Sequence, residues 1–377
     1  MIYLDNAATT FPKPLTVIKE VNKCLTEYCG NPGRSSHKLS LIASEKIYET
    51  RETIADFLSF DRPENIVFCQ NATHGLNLVI KGLLNHKCHV IISDLEHNSV
   101  IRPINKAIKN YGCEVSILDT SQPIETSLNK LIKPSTELIV ITMASNVTGT
   151  ANKIKTISTI AKRHNIKLVM DGSQFIGHSL FSCKDFEFDY LVVPGHKGIF
   201  GIQGAGFVVF NNDSILDTLF EGGSGYDTLN TEMPSTIPER YEAGTLSTPA
   251  ICSILSGIKY INSIGVPCIE DKLLFLTEKC KERILELQNV KVYGAGHGIV
   301  CFNVNGISSS TLASMLSNDN IASRSGLHCA PLIHKKMGTL NGGALRVSFS
   351  YLNSIDDVDN LYYSLKGIIN KMKQCTP

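Results

Sequence analysis

Between Ile66 and Phe210 the chain repeats one pattern, a short apolar run rich in β-branched residues followed by a segment long enough for a helix. The runs are Ile66–Cys69, His89–Ile92, Glu114–Leu118, Leu138–Thr142, Lys167–Met170, Tyr190–Val193 and Gly206–Phe210. Runs apolar on both faces and separated by helices form strands of a largely parallel sheet covered on both sides. The pattern predicts an α/β core of seven strands.

Beyond Cys268 the rhythm changes to short strands at Val290–Val292, Ile299–Val304 and Ala344–Phe349, mixed with helices, which predicts a smaller α+β layer. The last helix is signposted by Ser354 and Asp357 at its start, by apolar residues at Val358, Leu361, Leu365, Ile368 and Met372, and by Lys371 and Lys373 at its end. A chain of 377 residues has room for two domains. We place a large one at residues 16–256 and a small one at 1–15 together with 257–377.

Charge excludes some partners. Thirty-six Lys and Arg against 35 Asp and Glu leave a net charge of +1, so no global field draws in nucleic acid or an anionic membrane. No apolar stretch reaches the roughly 18 residues of a membrane span, and the N-terminus lacks the basic-then-apolar pattern of a signal peptide. A cytoplasmic protein is expected. The twelve cysteines include no Cys-x-x-Cys pair, so a metal framework is disfavoured and most thiols read as small buried hydrophobes.

In an open α/β sheet ligands bind beyond the carboxyl ends of the strands. Thr73, His74 and Gly75 follow the first run at a strand-to-helix turn that can hold a phosphate on free N–H groups, although on this feature alone an ordinary Asn/Thr cap is the favoured reading. His97, Asn146 and Asp171 each follow a later run. Singly they read as a structural histidine, a turn-forming amide, and a metal ligand, ribose ligand or helix cap. Lys197 follows Tyr190–Val193 after Pro194-Gly195-His196, and an isolated lysine there reads as a surface charge. The glycines from Gly198 to Gly206 precede a strand and do not match Gly-x-Gly-x-x-Gly, and no P-loop occurs, which disfavours nicotinamide and P-loop nucleotide sites.

The order of these groups is the informative feature: phosphate-type turn, histidine, asparagine, aspartate, lysine. Pyridoxal phosphate needs a lysine amine for its aldehyde, a carboxylate for its ring nitrogen, N–H donors for its phosphate and a flat group against its ring. With Tyr3–Thr10, Asn31–His37, Glu96-His97, Ser145-Asn146-Val147, Asp171–Gln174, Gly195-His196-Lys197, Glu242–Thr245, Arg324–Ala330 and Gly343–Arg346, the chain resembles the class V aminotransferase family, and within it the cysteine desulfurase/selenocysteine lyase branch.

That resemblance implies the pyridoxal-phosphate-dependent transferase fold type I. It implies that Lys197 holds the cofactor and moves the α-proton, Asp171 pairs with the ring nitrogen, Gln174 contacts the ring hydroxyl and His97 stacks on the ring. Thr73, His74 and His196 would hold the phosphate, Thr245 would reach the phosphate site of the other subunit of a homodimer, and Asn146 and Arg346 would bind the substrate carboxylate. Cys329 falls at the nucleophile of Arg324-x-Gly-x-His-Cys-Ala330, with His328 and Arg324 as cationic neighbours that would lower its pKa. Ala72, Pro194 and Leu327 depart from the branch's usual residues.

The expected activity is a cysteine desulfurase that converts L-cysteine to L-alanine and carries the sulfur as a persulfide on Cys329, for an acceptor protein in iron–sulfur cluster assembly, tRNA thiolation or another pathway. L-selenocysteine is the alternative substrate. A different class V reaction (aminotransferase, lyase or epimerase) and a metal- or persulfide-binding scaffold without turnover are the competing readings.

Overall fold

The computed structural model describes residues 1–33, 37–226 and 229–375, the last three in backbone only. Residues 34–36 of the Asn31–His37 motif therefore lie outside the described residues. The chain opens with β1 (Ile2–Tyr3), α1 (Leu15–Lys23) and α2 (Lys38–Leu58). It continues through β2 (Ile66–Cys69), α3 (Ala72–Leu83), β3 (His89–Ser93), α4 (Asn98–Tyr111), β4 (Glu114–Leu118), α5 (Ile124–Leu131), β5 (Thr136–Thr142), α6 (Ile154–Arg163), β6 (Lys167–Asp171), β7 (Tyr190–Pro194) and β8 (Gly206–Phe210).

Strands β2 to β8 form one sheet in the order β2-β8-β7-β6-β5-β3-β4. Only β8 runs against its neighbours, because it follows β7 by a short return, whereas helices α3 to α6 carry the crossovers from β2 to β6 and a longer segment without an α-helix carries that from β6 to β7. Strands β2, β3 and β5 to β8 are buried on both faces, as their apolar runs require, whereas the edge strand β4 leaves Glu114 and Ile117 exposed. Phe68, Ile91, Ile139, Leu168 and Leu191 face one core, and their immediate neighbours Val67, Val90, Leu138, Val169 and Val192 face the other. Helix α3 packs so closely that a Cβ on Gly75 would meet Val192 Cγ1 and Val208 Cγ2 at 2.8 Å, so glycine there sets the seat of the helix on the sheet.

The long helices α7 (Thr248–Ile264) and α8 (Val266–Leu285) follow, then β9 (Val290–Gly296), β10 (Ile299–Val304), α9 (Ser309–Asn318), β11 (Ile321–Ala322), β12 (Arg324–Gly326), α10 (Pro331–Met337), β13 (Ala344–Ser348) and α11 (Ile355–Cys375). Strands β9, β10, β13 and β12 make a second, antiparallel sheet. Strand β1 pairs in parallel with β11, and Asp5 bridges to Ser348, which carries the N-terminus alongside β13. At α11 the Ser354 amide donates to Asp357 Oδ2 at 3.0 Å, one half of the expected capping box. No single helix among the described residues is long and apolar enough to cross a membrane.

Candidate active site

The carboxyl ends of β3, β5, β6 and β7, with the N-terminus of α3, border a cavity of about 1110 Å³. Thr73, His74, His97, Asn146, Asp171, Gln174, His196, Lys197 and Thr245 all line it, so the fold gathers nine of the eleven expected site residues around one space. Arg346 and Cys329 lie beyond its wall.

Local sequence explains each placement. Asn71 caps α3, its side-chain oxygen accepting from the His74 amide at 3.0 Å, and His74 Nδ1 accepts from the Gln70 amide at 3.2 Å. The cap reading is realised, and the first-turn N–H groups of Ala72 and Thr73, which have no intrahelical acceptor, belong to residues that line the cavity. His97 is the N-cap of α4: its Nδ1 accepts from the Ser99 amide at 3.1 Å and lies 2.8 Å from Ser99 Oγ, which fixes the ring. Burial, with the nearby Lys197 charge, lowers the His97 pKa to about 4, so the ring is neutral at ordinary pH. Behind it Glu96 is fully buried and accepts from Ser93 Oγ and the Thr142 amide; burial raises its pKa to about 8.

Asp171, 2% exposed, ends β6 and accepts from the Ser173 amide at 3.0 Å. Lys197 follows β7 in a turn where Gly195 has no room for a side chain, Ile254 Cγ1 standing 2.7 Å from the place of a Cβ. Burial lowers the Lys197 pKa to about 8; Asp171 opposes that shift, and Arg346 and Arg324 add to it. An amine poised there loses its proton readily and is fit to condense with an aldehyde. Gln174 donates to the Ala7 carbonyl at 2.9 Å, and Pro194 and Ala72 line the cavity without any hydroxyl.

The residues present fit pyridoxal phosphate. A lysine amine, a buried carboxylate, a neutral imidazole and a helix N-terminus converge on a cavity of sufficient size, and His196 Nδ1 is buried without a hydrogen-bond partner, a donor or acceptor awaiting one.

Arg346, 1% exposed, sits on β13 with Nη1 donating to the Asn146 carbonyl at 2.8 Å and Nη2 bound to Asp5 Oδ1 at 2.6 Å; its Nε is buried without a partner. Arg346 and Asn146 thus meet as expected, but one arm of the guanidinium is already held by Asp5, and the Asn146 amide donates to the His328 carbonyl at 2.7 Å. Asp5 belongs to the Tyr3–Thr10 motif, yet nothing in the sequence ties it to Arg346; the pairing comes from the N-terminal segment running beside β13. Lys13 was also unassigned, and its Nζ donates to the His196 carbonyl at 2.9 Å.

Cys329 is exposed in the turn between β12 and α10. His328 (φ 48°) and Cys329 (φ 56°) are consecutive left-handed residues, a backbone that non-glycine residues adopt at a cost of about 1–2 kcal/mol each. Two anchors hold the turn to the cavity wall: the Cys329 carbonyl accepts from the Asn98 amide at 2.7 Å, and Asn146 grips the His328 carbonyl. The expectation that His328 is a cationic neighbour of this thiol fails. The imidazole turns inward, Nε2 to the Arg324 carbonyl and Nδ1 to His334 Nε2, both at 3.2 Å, and burial drives its pKa down to about 3. His328 is neutral and serves to shape the turn.

A family profile described as "Aminotransferase class-V" matches residues 2–361. A "Probable cysteine desulfurase" of Methanothermobacter thermautotrophicus is 30% identical over 380 residues, 97% of this chain and 94% of that protein. Another of Pyrococcus abyssi is 30% identical across 99% of this chain and 95% of its own length. Among solved structures, the apo cysteine desulfurase from Thermococcus onnurineus NA1 superposes with a TM-score of 0.91 at 28% identity, covering 98% of this chain and 95% of that one.

Proposed function

This chain belongs to the class V aminotransferase family, and from that premise we propose that it is a pyridoxal-phosphate-dependent cysteine desulfurase. The observation that carries the reading is the convergence of Lys197, Asp171 and His97 in one cavity whose wall anchors the exposed Cys329 turn. Bound there, pyridoxal phosphate supplies an aldehyde for amine capture and an electron-accepting ring.

The chain's own residues do the rest. The α3 N-terminus, Thr73, His74 and His196 would hold the phosphate, His97, neutral and fixed by Ser99, would pack against the ring, and Asp171 would pair with the ring nitrogen. Lys197 would anchor the cofactor through its amine, and as a free amine it is the group placed to move the proton at the substrate α-carbon. Arg346 orients the substrate carboxylate through its unpartnered Nε and the arm now held by Asp5. Cys329 attacks as thiolate on the substrate sulfur. The carbon–sulfur bond breaks, its electron pair stays with carbon, which takes up a proton and departs in alanine, and the sulfur stays on Cys329 as a persulfide. The persulfide is then open to an acceptor protein, because the turn is exposed.

A homodimer fits the exposure of Thr245 and of the apolar Phe220, Tyr226 and Leu229 in the segment beside the cavity. A cytoplasmic location and a place in iron–sulfur assembly are part of the same reading. Incubating cofactor-loaded protein with L-cysteine, L-selenocysteine and common amino acids, followed by assay of alanine, sulfide and pyruvate, tests it. Alanine from cysteine with no pyruvate is the expected result; keto acids from other amino acids would replace the desulfurase with a transaminase.

A further inference from the structure

At the end of the sheet opposite the cavity, three neighbouring strands begin with metal-ligating side chains. Cys88 precedes β3 and Cys113 precedes β4. Because these strands pair in parallel with His89 opposite Glu114, the two cysteines are forced side by side, both buried, with their sulfurs 3.8 Å apart. On the other flank of β3, Glu137 lies at the start of β5, and its Oε2 is 2.8 Å from Nε2 of His86 in the turn before β3. The donor atoms of His86, Cys88 and Glu137 all lie within 4.8 Å of one another.

Tetrahedral zinc with bonds of about 2.0–2.3 Å has ligand-to-ligand edges of about 3.3–3.8 Å. The sulfur pair already stands at such an edge, whereas a disulfide would need the same sulfurs at about 2.05 Å. His86 Nδ1 lies 3.0 Å from Asn85 Oδ1, which orients the ring and leaves Nε2 for a metal. His86 and Glu137 side chains are each 52% exposed, so an ion can enter from solvent toward the buried thiols.

We propose that His86, Cys88 and Glu137, whose donor atoms cluster, form a site for a zinc-class divalent cation between the starts of β3 and β5, with Cys113, whose thiol donates to the His86 carbonyl at 3.2 Å, as the fourth ligand once its side chain turns from that carbonyl. The absence of a Cys-x-x-Cys pair concealed it, since its donors come from four places in the sequence that only strand pairing brings together.

The test uses cofactor-loaded protein stripped of metal by a chelator, then loaded with one equivalent of Zn²⁺ or Co²⁺ and gel-filtered. One zinc per chain, a higher melting temperature with zinc, and thiolate-to-cobalt charge-transfer absorption with tetrahedral d–d bands are expected. Cys88→Ser and Cys113→Ser should each weaken the charge-transfer band. His86→Gln and Glu137→Gln change only exposed side chains, leave the fold intact, and should lower zinc affinity at least about tenfold and abolish the thermal gain. Zinc lost on filtration, retention unchanged in these variants, or a Cys88–Cys113 disulfide found by intact mass in metal-free protein would each overturn the site. No turnover is read, so its failure is separate from any failure of the desulfurase reading.

Discussion

Glu242, three residues before Thr245, offers a sharp test of how the cavity wall is held. Its carboxylate accepts from Arg51 Nη2 at 2.5 Å and from the Phe68 amide at 2.6 Å, with both charged side chains only 7% exposed. Arg51 also donates to the Ile66 carbonyl and lies over the Phe68 ring, 4.5 Å from its centroid. Burial raises the Glu242 pKa and Arg51 opposes the rise. Glu242→Gln keeps the shape and leaves the guanidinium buried without its counter-charge, a loss of about 3–5 kcal/mol. With an unfolding entropy of about 2.1 cal/mol/K per residue over 377 residues, that loss lowers the melting temperature by about 4–6 °C. The exposed pair Lys184–Asp61, at 62% and 79% exposure, is the control: Asp61→Asn should cost at most about 1 kcal/mol. Differential scanning fluorimetry of both variants decides. If Glu242→Gln melts no lower than Asp61→Asn, the pair does not hold β2 to this segment. Adding Arg51→Met to Glu242→Gln removes the stranded charge and should recover part of the loss.

Cofactor capture should follow the Lys197 amine. With a pKa near 8 about one amine in ten is neutral at pH 7, against about one in 2,500 for an ordinary lysine, so reductive trapping of pyridoxal phosphate by apoprotein should fall tenfold per pH unit below 8 and level off above it; a midpoint near 10 would contradict this. Asp171→Asn should leave the melting temperature within about 1 °C yet cut exchange of the substrate α-proton at least about a hundredfold, followed by NMR in deuterated water. Asp5→Asn should release an arm of Arg346 for the substrate carboxylate, lowering KM for cysteine, while the buried guanidinium loses its counter-charge and the melting temperature falls; an unchanged KM would show that Asp5 and substrate do not share Arg346.

Six of the seven strands were legible because their runs are apolar on both faces, a pattern that a covered sheet demands, while the edge strand β4 mixes Glu114 and Ser116 with apolar residues and leaves Ile117 exposed. The strand-end residues were legible for a related reason: polar side chains directly after a buried strand have few places to go but the carboxyl edge. The orientation of a single side chain was not. His328 follows Leu327 in a turn that looks cationic in sequence, but its ring is aimed inward by His334 and the Arg324 carbonyl, partners reached only through the fold. Asp5 and Arg346 are separated by 341 positions, and their meeting depends on β1 finding β11. The left-handed turn at 328–329 likewise carries no glycine to announce it.

The central claim is that Cys329 takes the sulfur of L-cysteine, and the most direct measurement is the location of that sulfur after one turnover. Cofactor-loaded protein mixed with one equivalent of isotopically labelled cysteine, alkylated at once and digested, should yield one labelled persulfide, on the peptide containing Cys329, with alanine released in equal amount. Cys329→Ser should bind cofactor and cysteine yet release no alanine. Label on any other cysteine, or alanine from the serine variant at the wild-type rate, would contradict the account.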